Sequence, residues 1–94
     1  MWIVPVPERK TVKNRMHFDV VGETWPLIAA GARMVREADD EIEWSVLADP
    51  EGNEFCVIEA GNGFLDDTAR IGALSCEGTR EVGLFWSEAL AWPL

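Results

Sequence analysis

The sequence predicts an α+β fold in the element order β-α-β-β-β, followed by one more strand and one more helix. Three observations carry that expectation. Residues 15–21 and 42–48 alternate apolar and polar side chains with period two, as half-buried strands do. Asp49-Pro50-Glu51-Gly52 is a strong turn signal between two strand-like runs, because proline presets one backbone angle and glycine permits a positive one. Residues 80–92 place Val82, Phe85, Trp86, Ala89 and Leu90 at the spacing of one helical face.

Taken in order, residues 2–7 (Trp-Ile-Val-Pro-Val-Pro) have strand composition, but the prolines restrict them to an edge or a strand end. Glu8 to Asn14 is polar and basic and reads as a linker. In the first strand of the module Met16, Phe18 and Val20 take one face, while Arg15, His17 and Asp19 take the other. Glu23 to Ala30 is a short helix with Trp25, Leu27 and Ile28 on its apolar side. Pro26 belongs in its first turn and Gly31 stops it. Ala32 to Arg36 is a strand, 37–41 an acidic turn, and Ile42 to Ala48 a strand carrying Ile42, Trp44 and Val46 on one face. Glu54 to Ala60 closes the hairpin. A loop follows at 61–68, then a strand over 70–76, and a helix over 80–92 with Thr79 as its N-cap.

Composition narrows the function classes. The 94 residues are 48% hydrophobic and 27% charged, the balance of a folded domain with a modest core. Seventeen acidic against eight basic residues give a formal charge of −9, which disfavours nucleic acid and anionic membrane surfaces as partners. Cys56 and Cys76 are too few for a disulfide framework, and as small hydrophobes within strands they make poor nucleophiles. No apolar stretch reaches about 18 residues and no leader-like segment is present, so a cytoplasmic location is expected.

His17-x-Asp19, then Ala30-Gly31-Ala32-Arg33, then Trp44-x-Val46-Leu47-x-Asp49-Pro50-Glu51-Gly52-Asn53-Glu54-Phe55-Cys56 resembles the glyoxalase-like branch of the glyoxalase/bleomycin-resistance/dioxygenase (vicinal oxygen chelate) superfamily. The resemblance covers about residues 13–60. Less specifically, residues 69–94, with Phe85-Trp86-Ser87-Glu88-Ala89-Leu90-Ala91-Trp92, resemble the first strand and helix of another such module. The expected organisation is therefore a βαβββ module over 1–60 with an additional strand at its amino end, a linker over 61–68, and the beginning of an incomplete second module over 69–94. Residues 2–7 would suit the last strand of a preceding module.

The resemblance implies a cleft between paired modules and a site built on the module strands. From strand parity, Phe55, Val57 and Glu59 point to one side of their strand, and Cys56 and Ile58 to the other. If the first and fourth strands are neighbours, His17 and Glu59 converge, with Asp19 orienting the ring and Trp44 available to stack on a ligand. Metal-dependent relatives take one ligand from each of those strands, so His17 and Glu59 are the expected pair for zinc, nickel, iron or manganese. Ala73 and the Val4–Val6 strand offer no further donor, and His17 is the sole histidine. Two ligands are fewer than a catalytic zinc keeps, so the expectation is no resident cofactor.

The function expected from this reading is small-molecule binding without a complete metal site in one chain. The alternative is a metal-dependent lyase, isomerase or dioxygenase of the same superfamily. The apolar face of helix 80–92 further implies a homodimer, exchanged through residues 69–94 about the 61–68 loop.

Overall fold

The protein, seen here as a computed structural model that describes residues 1–59 and 70–94, is a mixed five-stranded sheet with two helices. The elements are β1 (Met16–Val21), α1 (Trp25–Ala29), β2 (Arg33–Arg36), β3 (Ser45–Ala48), β4 (Glu54–Ile58), β5 (Ile71–Cys76) and α2 (Arg80–Leu90). The sheet order is β2-β3-β4-β1-β5. The βαβββ order anticipated from periodicity is present, and its elements, like β5 and α2, fall where expected with boundaries shortened by one to three residues.

Three connections explain that order. Asp49-Pro50-Glu51-Gly52 makes the hairpin: the Gly52 amide donates to the Asp49 carbonyl at 2.9 Å, and Gly52 sits at φ +88°, a conformation that suits glycine. The Asp49 carboxylate also accepts from the Glu51 and Asn53 amides, both at 2.9 Å. Burial works against its charge. The hydrogen bonds from the Asn53 side chain and from the backbone of Asn53, Glu51 and Gly52 outweigh it and hold Asp49 below the usual carboxylate range. After β1 the chain enters α1 with Pro26 in its first turn, and Gly31 at φ +117° redirects it into β2. β4 then returns to lie parallel to β1, with Asp19 opposite Cys56 and Val20 opposite Val57.

Ile42 and Trp44 fall outside the strand that periodicity assigned them. Asp39 is the reason: its side-chain oxygen accepts from the Glu41 amide at 2.9 Å and the Ile42 amide at 2.8 Å, and its backbone amide donates to the Ile42 carbonyl. This Asx-type turn extends the loop and delays β3 to Ser45.

The core is small and lies between β3 and β4, where Leu47, Ala48, Val57 and Ile58 are buried. The other end of the sheet differs. β5 runs antiparallel to the opposite edge of β1, with Ser75 opposite His17 and Leu74 opposite Phe18, and a bulge interrupts the register between Asp19 and Val20. α2 is capped as anticipated, the Thr79 hydroxyl accepting from the Val82 amide at 3.3 Å. It stops at Leu90 because Ala91 turns left-handed at φ +54° and Pro93 follows. No residue of α2 is buried.

Residues 2–7 form no strand here. They are exposed, and Val6 and Pro7 lie near the Pro50 turn. The expected linker at 61–68 lies outside the described residues. No helix among the described residues is long and apolar enough to cross a membrane.

Candidate functional site

Alternation along β1 decides which side chains can meet. His17 and Asp19 leave one face of the sheet; Met16 and Phe18 leave the other, where Met16, Leu74 and Cys76 meet Gly83, Trp86 and Leu90 of α2. The parallel register carries Cys56 and Ile58 onto the His17 face, since Asp19 lies opposite Cys56 and Val21 opposite Ile58. The antiparallel register brings Ser75 there from β5. Trp44, just ahead of β3, reaches the same face. Together His17, Asp19, Trp44, Cys56, Ile58 and Ser75 line an open cavity of about 350 Å³.

Asp19 is the hub of this group. It is buried, and one carboxylate oxygen accepts from the Ser75 hydroxyl at 2.8 Å while the other lies 3.4 Å from His17 Nε2. No buried side-chain polar atom among the described residues is left without a partner. The bulge beside Asp19 fits its placement, because bulges re-aim the side chains next to them. Cys56 completes the cluster. Burial, followed by the adjacent Asp19 charge and a hydrogen bond to Asp19, pushes its thiol up to about 11. Cys56 is therefore a protonated, hydrogen-bonding thiol at neutral pH and not a nucleophile.

Of the four residues expected in the cleft, His17, Asp19 and Trp44 line one cavity. Glu59 does not: it is exposed one residue past the end of β4 and is absent from that lining. Parity along β4 was read with Phe55, Val57 and Glu59 on one side and Cys56 and Ile58 on the other. The β1–β4 register adds that Cys56 and Ile58 are the pair facing His17. Cys56 and Ser75 are the members that the sequence did not single out. Cys56 stood in the sequence as a hydrophobe in a strand, and nothing in Ile71-Gly72-Ala73-Leu74-Ser75-Cys76 distinguishes Ser75 until β5 is paired. Trp25, expected on the apolar side of the first helix, is exposed on α1 and outside the cavity.

The donor set is chemically suited to a divalent transition metal. His17, Asp19 and Cys56 each offer one ligand atom, and these atoms lie within 4.8 Å of one another. Imidazole, carboxylate and a thiol that a bound ion would have to deprotonate match zinc or iron better than magnesium or calcium.

A family model described as a glyoxalase-like domain matches residues 1–58. No curated protein and no solved structure matches the chain. The family match spans the βαβββ module and contains His17, Asp19, Trp44 and Cys56. By the match over residues 1–58, with which the strand order is compatible, this chain belongs to the glyoxalase-like domain family of the vicinal oxygen chelate superfamily.

Proposed function

We propose that the protein is a glyoxalase-like small-molecule-binding protein whose ligand occupies the cavity on the His17 face. One observation carries this reading: a single open cavity combines apolar walls, Trp44 and Ile58, with three converging polar side chains, His17, Asp19 and Ser75. Sites that bind small molecules have that composition, mostly apolar with a few polar groups that fix orientation. A ligand with a flat apolar body against Trp44 and a polar head at His17 and Asp19 suits it. Calorimetry with a panel of small planar compounds bearing a polar head tests the reading. At least one should bind, and Trp44→Ala and His17→Ala should each weaken it tenfold or more while leaving the circular dichroism unchanged. A panel without binders, or binding untouched by both substitutions, would defeat it.

A second reading is favoured by the His17, Asp19 and Cys56 cluster: a metal-dependent lyase, isomerase or dioxygenase, in which those three residues hold the ion. A metal there would act as a Lewis acid on substrate oxygens. We place it second because Asp19 is already shared among Ser75, His17 and Cys56. Elemental analysis of purified protein should find well under one transition metal per chain. One tightly held equivalent, lost in both His17→Ala and Cys56→Ala, would reverse the order of the two readings.

The same proposal places the protein in the cytoplasm, where two free cysteines persist unpaired, and pairs it with a second copy. The exposed Phe85, Leu84 and Trp92 around α2 supply the contact. Exchange of residues 69–94 between the two copies would keep the β1–β5 pairing while covering α2. Sedimentation at micromolar concentration should show a dimer, and a stable monomer would remove this part of the proposal.

A further inference from the structure

We propose that the ligand of the His17-face cavity is a cation, an amine or amidine whose protonated nitrogen faces Asp19 and whose apolar body lies against Trp44. The assignment rests on the reading of this cavity as a small-molecule site, and it adds the charge and hydrogen-bonding character of what enters.

The first support is the inventory of hydrogens around Asp19. Ser75 has one hydroxyl hydrogen, and it is given to one Asp19 oxygen at 2.8 Å. The Cys56 thiol also bonds to Asp19. His17 brings Nε2 to 3.4 Å from the other Asp19 oxygen, and because a carboxylate only accepts, that nitrogen is the one that carries hydrogen. The neutral ring then keeps Nδ1 as an acceptor. Each of the three side chains around Asp19 thus directs its hydrogen at it. What the group still offers is lone pairs, on Ser75 Oγ, on His17 Nδ1 and on Asp19 itself, whose two oxygens have room for about four donors. A head that only accepts, such as a carboxylate or a phosphate, finds no side-chain donor beyond the Trp44 indole. A head rich in N–H groups finds several acceptors.

Charge supplies the second support. The eight lysines and arginines of the chain all fall at described positions, and none lines the cavity. Arg36 reaches the Trp44 backbone carbonyl at 3.3 Å, yet its guanidinium is paired with Asp39 at 3.1 Å. Asp19 is 8% exposed, so water and salt screen its charge little. The stretch 37–43, which leads directly into Trp44, carries five carboxylates in Glu37, Asp39, Asp40, Glu41 and Glu43. A site surrounded by one sign of charge raises the local concentration of the opposite ion. Trp44 is 44% exposed, and an indole face attracts an ammonium or amidinium group as well as apolar carbon. An anionic ligand would meet the Asp19 carboxylate with nothing to offset it.

Calorimetry at neutral pH tests this with matched trios of ligands. Chelator is present throughout, so that no metal ion can serve as the cation. Each trio shares one flat body (benzyl, naphthyl or indolylmethyl) and carries an ammonium, a hydroxyl or a carboxylate. In at least one trio the ammonium should bind, at least about tenfold tighter than its alcohol, with the carboxylate weaker still. Asp19→Asn keeps the shape and removes the charge. It should cost the ammonium about tenfold or more and leave the alcohol within about threefold. Glu88→Gln, which removes an exposed charge on α2, should leave the preference within about twofold. An alcohol or carboxylate that equals its ammonium partner would overturn the inference and leave the cavity a binding site. A preference that survives Asp19→Asn, or that Glu88→Gln erodes as much, would do the same. No binding by any trio would overturn both the inference and the reading beneath it. Should Asp19→Asn lose its circular dichroism spectrum, the trios on the unaltered protein still decide.

Discussion

The β3–β4 hairpin and the β5–α2 unit are each a strand joined to a neighbouring element by a short turn, yet they are held in place by different means. In the hairpin, Leu47 and Val57 are fully buried and the connecting turn is bound by Asp49 through backbone and side-chain hydrogen bonds. In the β5–α2 unit the cap at Thr79 is made and the strand is paired, but no helix residue is buried and Phe85 is 61% exposed. Local signals alone suffice to start and stop an element. Tertiary burial is a separate contribution, and here it is concentrated at one end of the sheet.

The sharpest way to break this comparison is to truncate one large side chain in each region. Leu47→Ala should cost about 3 kcal/mol in equilibrium urea unfolding, because it removes buried methyl groups and leaves a cavity. Phe85→Ala should cost less than about 1 kcal/mol at concentrations where the chain is monomeric. Equal losses would mean that α2 is covered in solution. The next effect lies in the glycines. Gly52→Val should destabilise by about 1 kcal/mol or more, since φ +88° strains a β-branched residue. Gly83→Ala in α2 should be stabilising by up to about 0.5 kcal/mol. The added methyl meets only the far end of the Leu94 side chain, at 2.8 Å, and that exposed side chain can move. Thermal melts of both variants, with opposite signs expected, check this pair.

The smallest effect is in pH. Asp49 titrates below its ordinary value of 3.8 in the folded protein, so its contribution is complete above that value and is lost as pH falls through the lowered one. Asp49→Ala should therefore be less stable than the parent near neutrality. The difference should shrink below about pH 4 in acid titrations followed by tryptophan fluorescence. A gap that stays constant down to pH 2 would assign the effect of Asp49 to packing alone.

The fold was legible because its elements are local. Alternation marked β1 and β3, Gly52 and Gly31 marked turns, and Thr79 marked the start of α2. Ile42 was misplaced because the side chain of Asp39, acting two and three residues ahead, overrides an alternating pattern. The site was legible in part. His17 and Asp19 follow from parity within one strand, and Trp44 is singled out as an aromatic able to stack on a ligand, although alternation puts it inside the strand rather than ahead of it. Choosing between Cys56 and Glu59 requires the β1–β4 register, which joins residues far apart in sequence and leaves no local trace. Ser75 requires a second such register.

The parallel pairing of β1 with β4 also has a consequence for the order in which the molecule assembles. Asp19 meets Cys56 across 37 residues and His17 meets Ser75 across 58, whereas β3 meets β4 through a tight turn. Loop-closure entropy falls hardest on the distant partners, so the hairpin can zip early while β1 must wait for a finished edge. Every contact of the His17, Asp19, Cys56 and Ser75 cluster that crosses between strands depends on those late closures. Changes in the 49–52 turn should then register in the folding rate, and changes in β5 in the unfolding rate. Any ligand that grips both Cys56 and Ser75 selects chains that have completed the slowest step.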